Sequence, residues 1–208
     1  MITVNHFRNR IKKLHYVSGL TLSLFIGFHL INHLYAIAGP ERHIAIMDIF
    51  RKIYRNPIVE TLLLLVVFLQ VITGVRLAIR RKAQLPAERL HVYSGWYLAF
   101  FLIAHVGAVL SARFVQHLDT NFYFGAVGLN FSPSVYLFVP YYFLGVAAIS
   151  IHVAAIHYLK TGSKMMSYGI GTIGIMTSTI IILAFTNCFQ GRAMPVEYIN
   201  FMKAFFGN

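Results

Sequence analysis

Five long apolar runs alternate with short polar segments along the chain. Each run reaches the length of about 20 residues that an α-helix needs to cross the hydrocarbon core of a bilayer. Turn residues separate the runs, at Gly39-Pro40, Asn56-Pro57, Pro86 and Ser132-Pro133-Ser134. The pattern predicts an all-α polytopic membrane protein, a single domain over residues 1–208, with transmembrane helices at about 14–36, 57–79, 91–113, 134–159 and 168–189.

The composition supports this class of protein. The chain is 58% hydrophobic and only 12% charged, whereas soluble domains are about 25% charged. The net charge is +12, but the lysines and arginines lie between the apolar runs. We therefore expect them to contact lipid headgroups, and we expect no nucleic-acid partner. The single cysteine, Cys188, excludes a disulfide framework and a cysteine-ligated metal or iron–sulfur site.

The distribution of lysine and arginine also predicts an orientation. The side of the membrane that holds the N-terminus receives the larger share of these residues, so the positive-inside rule places the N-terminus in the cytoplasm. We expect an integral protein of a bacterial or archaeal cytoplasmic membrane. The basic segment 41–56 is predicted to lie on the outer surface as an amphipathic helix. Its apolar residues are expected to face lipid, namely Ile44, Met47, Ile49, Phe50 and Ile53.

The first and third apolar runs repeat one motif. Lys13-Leu14-His15 continues to Ser18-Gly19, and His29 follows ten residues after the glycine; Arg89-Leu90-His91 continues to Ser94-Gly95, and His105 again follows ten residues later. Both runs cross in the same direction, so a rise of 1.5 Å per residue puts His29 and His105 at one depth, about 21 Å up and in the outer half of the membrane. We call this the His29 level. Facing helices with two histidines at one depth suit the axial ligands of a haem.

Two other interpretations of these histidines remain open. An intramembrane histidine can simply hydrogen-bond to a neighbouring helix. A zinc or copper ion is the competing metal, because His33 lies one turn after His29 and would complete a cluster of three imidazoles with His105. No intramembrane carboxylate lies at this level, and the repeat favours a haem with two imidazole ligands. The remaining histidines are assigned to loops or interfaces, namely His6, His43, His117 and His157.

A second polar level lies nearer the predicted cytoplasmic side. Gln70 and His152 fall about 15 Å and 12 Å from that boundary, and we call this the His152 level. His15 and His91 lie at the starts of the first and third predicted spans, at the cytoplasmic boundary and beside basic residues. There each could bind a haem propionate, a quinone oxygen or water. Gly19 lies too far from His29 to make room for the same haem, so we expect it to serve helix packing or a group bound at the His152 level.

Gly169-Ile170-Gly171-Thr172-Ile173-Gly174 matches the dinucleotide fingerprint GxGxxG. The motif follows a loop rather than a strand, and no acidic residue stands about 20 positions later. We therefore interpret these glycines as helix-packing residues.

The histidine motifs resemble those of the cytochrome b membrane anchor of succinate dehydrogenases and fumarate reductases, of the type in which one five-span polypeptide forms the whole anchor. The likeness covers nearly the whole chain and is carried by the two repeats and by the stretch from Gly145 to His152. It implies that His29 and His105 ligate a distal haem b. In the second span Leu69-Gln70-Val71-Ile72-Thr73-Gly74 matches the family, but Gln70 replaces the ligand of the proximal haem. His152 then lacks its partner, so we expect one haem, with the second missing or atypically ligated.

The resemblance also implies a function. The chain would be a non-catalytic subunit of a succinate:quinone or quinol:fumarate oxidoreductase, with an iron–sulfur subunit and a flavoprotein subunit on the cytoplasmic side. Quinone in the membrane would be the substrate, and His15, His91 and Arg76 are candidate contacts for propionates or quinone. Two alternatives stay open, a haem-poor structural anchor with a quinone site and a b-type cytochrome of another membrane redox complex.

Overall fold

The computed structural model describes residues 2–186 and 193–207, with side chains from residue 8 onward. Cys188 and the side chain of His6 lie outside the described residues. Within these ranges the chain forms helices and no strands. The α-helices are α1 (Ile2–Leu34), α2 (Pro40–Tyr54), α3 (Pro57–Ile79), α4 (Pro86–Phe114), α5 (Phe122–Asn130), α6 (Val135–Thr161), α7 (Lys164–Phe185) and α8 (Val196–Phe206), and a 3₁₀ turn covers Tyr35–Ala38.

The predicted five-span, all-α fold is confirmed. In the described part of the chain α1, α3, α4, α6 and α7 are long and apolar enough to cross a membrane. Helix α3 has the predicted bounds, while α1 and α4 begin before the apolar runs because their polar first turns continue the same helix. Helix α7 spans Lys164–Phe185 instead of 168–189, and the predicted residues 187–189 lie outside the described ranges.

Local sequence signals set several helix ends. Pro57 and Pro86 stand in the first turns of α3 and α4, where a missing N–H is not needed for the helix. The Asn56 side chain accepts a hydrogen bond from the backbone N–H of Ile58 at 3.1 Å and caps α3. Gly162 ends α6 in the left-handed conformation, with φ of 71°. The connections from α3 to α4 (residues 80–85) and from α6 to α7 (residues 162–163) are therefore short, and these neighbouring spans run antiparallel.

The five spans form a ring around a central cavity. Helix α1 packs on α3, α3 on α4, α4 on α6, α6 on α7, and α7 returns to α1. Among the described residues α1 and α4 do not pack closely on each other, because the cavity separates them. The cavity has a volume of about 1560 Å³ and is lined by side chains of all five spans. This exceeds the range of about 300–1000 Å³ that is usual for a single small-molecule site.

Glycines allow the closest contacts between the spans. A Cβ on Gly174 would overlap Ser150 of α6, and one on Gly145 would overlap the Phe101 ring of α4. Gly174 is therefore a packing residue, as the sequence predicts. The prediction is wrong for Gly169 and Gly171, where an added Cβ would have no described atom within 4 Å.

Helix α2 covers one end of the bundle. Its amphipathic character is confirmed, but the expectation that its apolar residues all face lipid is wrong. Met47 is only 4% exposed and Ile44 packs against the bundle core, whereas Ile53 is 66% exposed. The helix is held in place by Arg51, which pairs with Asp119 at 2.8 Å in the connection after α4. This docking buries one face of α2 against the ends of the spans.

Candidate functional site: two histidine levels in the central cavity

The structure brings His29 and His105 together across the cavity. Their ring centres lie 6.1 Å apart, with an angle of 67° between the ring planes. Each imidazole stacks on a phenylalanine one turn earlier on its own helix, His29 on Phe25 and His105 on Phe101, with centre distances of 5.5 and 5.2 Å. These stacks restrict the orientation of both rings. The equal depth inferred from the repeat therefore corresponds to a real juxtaposition.

The distance between the two rings fits two axial ligands of a haem. A metal held at about 2 Å by an imidazole nitrogen on each side separates the ring centres by roughly 6 to 6.5 Å. His105 lies against Phe101 and Tyr142, yet no described residue forms a hydrogen bond with its ring nitrogens. The gap between α1 and α4 leaves space for a planar group between the two rings.

Two further histidines lie at this level: His33, which the sequence places beside His29, and His43, which was not predicted as part of the site. His33 Nε2 lies 3.0 Å from His29 Nε2, and His43 Nε2 lies 3.3 Å from His33 Nδ1. The side chain of Asn32 donates to His43 Nε2 at 3.2 Å. Ligation of a metal by His29 Nε2 would replace its contact with His33.

His43, which the sequence assigns to a loop or an interface, lies at the interface between α2 and α1. This side chain is 2% exposed and belongs to the buried cluster, because docking of α2 turns it towards α1. No local sequence signal predicts that docking. The other two assignments are confirmed: His117 lies in the connection after α4, and His157 lies at the α6–α7 interface, with Nδ1 at 3.0 Å from Ser167 Oγ.

The alternative of a zinc or copper ion finds no support at the His29 level. Among the described residues, no group of three or more histidine, cysteine, aspartate or glutamate side chains is arranged to hold a metal ion. Both ring nitrogens of His33 are already engaged, by His29 and by His43. A haem iron requires two axial ligands of a protein, whereas a zinc site requires three or four ligands.

The buried imidazole of His43 predicts a dependence of stability on pH. Burial, and then the nearby Arg51 guanidinium, lower the pKa of His43 to about 4, from an ordinary value of 6.5. The unfolded chain would therefore take up a proton at a pH where the folded protein does not, so stability is present above pH 6.5 and is lost as the pH falls towards 4. We expect His43→Phe, which can keep the aromatic contacts, to weaken this dependence. The thermal midpoint in detergent, measured from pH 7 to pH 4 for both proteins, checks this, and equal slopes would contradict it.

At the His152 level, Gln70 is held by the first repeat. Its Oε1 accepts a hydrogen bond from Ser18 Oγ at 2.6 Å, and its amide Nε2 lies 3.4 Å from His15 Nε2. A Cβ on Gly19 would lie 3.2 Å from the Gln70 amide nitrogen, so the glycine makes room for this side chain. Of the two roles expected for Gly19, the structure shows helix packing, against Gln70 of α3.

The second repeat holds His152 in the same manner. Ser94 Oγ lies 3.2 Å from His152 Nδ1, and a Cβ on Gly95 would lie 3.2 Å from His152 Cε1. His91 stacks on His152 with ring centres 4.1 Å apart and an interplanar angle of 24°. In each repeat, the serine thus forms a hydrogen bond with a side chain of a neighbouring helix, and the glycine leaves space for that side chain.

Basic side chains line the cavity beyond the His152 level. The acidic residue at this end, Glu88, pairs with Arg81 at 3.0 Å. The wall is therefore strongly positive here, which suits carboxylate or phosphate groups. The basic residues are Arg8, Lys12, Arg76, Arg80, Arg81, Lys82 and Lys160.

The fold and the cavity define a class of protein, a five-span all-α membrane protein with two levels of histidine in its interior. Comparison of the chain with protein-family models, with curated proteins and with solved structures finds no match. The function must therefore be argued from the site itself, together with the resemblance of its sequence motifs.

Proposed function

We propose that the chain is the cytochrome b membrane-anchor subunit of a succinate:quinone or quinol:fumarate oxidoreductase, with haem b bound between His29 and His105. The observation that carries the proposal is the facing pair of imidazoles, 6.1 Å apart, across the cavity that separates α1 from α4. When bound, the haem supplies one-electron transfer.

The residues around the pair would each have a definite role. His29 and His105 hold the iron, and Phe25 and Phe101 keep the two rings in the orientation for ligation. The largely apolar lining keeps water away from the metal, which affects its reduction potential. His33 would lose its contact with His29 on ligation and keep its contact with His43.

The positive end of the cavity supports the proposed partners. Its arginines and lysines suit the propionates of a haem, and they also suit an acidic surface on an iron–sulfur subunit and its flavoprotein. With the N-terminus in the cytoplasm of a bacterium or archaeon, this end faces those partners. His15, His91 and Arg76 line the same region and could hydrogen-bond to a quinone oxygen.

The two alternative functions differ in what they require of His29 and His105. A haem-poor anchor with a quinone site needs no pair of oriented imidazoles, so the two phenylalanine–histidine stacks favour haem. A b-type cytochrome of another redox complex would use the same pair of ligands and would differ in its soluble partners.

Purification of the full chain from its native membrane tests the proposal. We expect a reduced-minus-oxidised spectrum of the b type, at least one haem per chain, and co-purification with a flavoprotein and an iron–sulfur protein. A haem-to-polypeptide ratio near zero would exclude haem ligation and favour the haem-poor structural anchor. Haem with different soluble partners would assign the chain to another redox complex.

A further inference from the structure

The ring of spans is open on one side near the basic end of the cavity. Helix α7 closes the ring against α1 in the opposite half, where Leu30 and Leu34 pack with Ile181 and Phe185. The residues of α7 that line the cavity begin at Ser178, so the first half of α7 does not close it. Helices α1 and α6 do not pack closely on each other among the described residues. The wall between these two helices is therefore incomplete.

Apolar side chains form both edges of this opening, which we call the α1–α6 seam. Tyr16 and Leu20 stand on the α1 edge, and Val153 and Ile156 stand on the α6 edge; all four line the cavity. Tyr16 is 60% exposed, Leu20 62% and Val153 44%. Exposed apolar surface of this kind marks a place where another apolar molecule binds. In a bilayer, the molecules beside such an edge are lipid acyl chains.

Lys160 reaches across the seam at its basic end. It stands in the last turn of α6, and its Nζ lies 5.0 Å from the centre of the Tyr16 ring on α1. The cation is attracted to the face of the ring. No described residue accepts a hydrogen bond from the Lys160 ammonium. A positive charge with unused donors therefore lies directly over the apolar seam.

Arg8 and Lys12 extend this positive charge along α1. They precede Tyr16 by two turns and by one turn, so the three side chains lie on one face of the helix, and all three line the cavity. Neither basic residue forms an ion pair with a described carboxylate. Glu88, the acidic residue at this end, pairs with Arg81 instead. The charge beside the seam is therefore not neutralised by the protein.

We propose that the α1–α6 seam binds one anionic phospholipid, with its phosphate at Lys12 and Lys160 and an acyl chain along Leu20 and Val153. Basic pockets between transmembrane helices bind anionic headgroups in this way. The basic residues stand where the apolar run of α1 begins, and the seam continues from them into the membrane. This order matches a headgroup followed by its chain.

Other occupants match only part of this surface. An acidic protein surface would match the basic residues and leave the apolar seam uncovered. A quinone would match the seam and leave the unpaired cations without a counter-charge. The lipid site requires neither haem nor the soluble partners of the proposed function, so the two proposals stand or fall separately.

Native mass spectrometry of the full chain tests the selectivity for charge. The delipidated protein is titrated with phosphatidylglycerol and with phosphatidylcholine that carries the same acyl chains, and we expect one phosphatidylglycerol to bind preferentially. Lys12→Gln and Lys160→Gln should each weaken its binding about fivefold, the effect of one basic residue at a membrane surface. The matched control is Lys164→Gln, at the same end of the bundle on α7 but not lining the cavity, and it should keep the native affinity.

Photolabelling tests the position of the acyl chain without relying on a variant. A phosphatidylglycerol with a diazirine in its acyl chain should label peptides of α1 and α6 around Leu20 and Val153. Excess unlabelled phosphatidylglycerol should compete, whereas inorganic phosphate and glycerol phosphate should not. Leu20→Trp, which fills the seam and keeps every charge, should decrease the labelling.

Four results would overturn the proposal. Equal affinity for the two lipids, or an equal loss in Lys164→Gln, would show only non-selective contact with surrounding lipid. Competition by inorganic phosphate would show an anion site without a lipid. Labelling spread evenly over all five spans would exclude the seam. Loss of a co-purifying soluble protein in Lys160→Gln, with unchanged lipid binding, would assign the basic residues to a protein partner.

Discussion

His29→Ala and His105→Ala are each expected to abolish haem binding at the His29 level. Each variant removes one of the two imidazoles that face each other across the cavity, and an axial position without a protein nitrogen holds the iron far more weakly. The expected result is a fall in the haem-to-polypeptide ratio by one. Reduced-minus-oxidised spectra of purified protein, with haem and polypeptide quantified separately, measure it.

His33→Ala is the matched control for these two variants. His33 lies one turn from His29 at the same level, but its nitrogens already contact His29 and His43. We expect this variant to keep its haem, with a shift in the absorption maximum or the reduction potential because the surroundings of His29 change. A loss of haem as complete as that in His29→Ala would show that the pair is not the ligand set.

Gly174→Leu should strongly destabilise the bundle. A Cβ at this position would overlap both Oγ and Cβ of Ser150, and a rotation of the serine moves only the hydroxyl. Helices α6 and α7 would have to separate, and overpacking of this kind costs about 1–3 kcal/mol or more. We expect a lower thermal midpoint in detergent and a smaller yield of monodisperse protein.

Gly171→Leu provides the comparison on the same helix. An added Cβ there has no described atom within 4 Å, so a larger side chain can point away from the bundle. Leucine also favours helix more than glycine does, so the thermal midpoint should stay the same or rise slightly. Equal losses of stability in the two variants would contradict the packing argument for Gly174.

The five-span fold could be predicted from the sequence because it rests on local properties. A run of about 20 apolar residues satisfies its backbone hydrogen bonds as a helix within the bilayer, whatever the neighbouring helices are. The depth of a side chain follows in the same way from the constant helical rise. These two properties were enough to pair His29 with His105 before any tertiary contact was known.

The contacts at the His152 level could not be predicted from the sequence. The resemblance to the cytochrome b anchors implies that Gln70 stands where those proteins have a haem ligand, so that His152 is expected to lack a partner ligand. In the structure, Ser18 binds the Gln70 amide, and His15 is oriented on Thr73 and Gly74. The rotation of each helix about its axis decides which side chains meet, and depth alone contains no information about that rotation.

The sequence by itself determined the number of spans, their approximate limits and the common depth of His29 and His105, since helix length and rise do not depend on neighbours. Only the tertiary structure decided what the repeated Ser-Gly dipeptides do and where His43 lies. Ser18-Gly19 and Ser94-Gly95 hold side chains from other helices, and His43 reaches the buried cluster because α2 folds back over the bundle. Such contacts join residues far apart in the chain, and no local pattern specifies them.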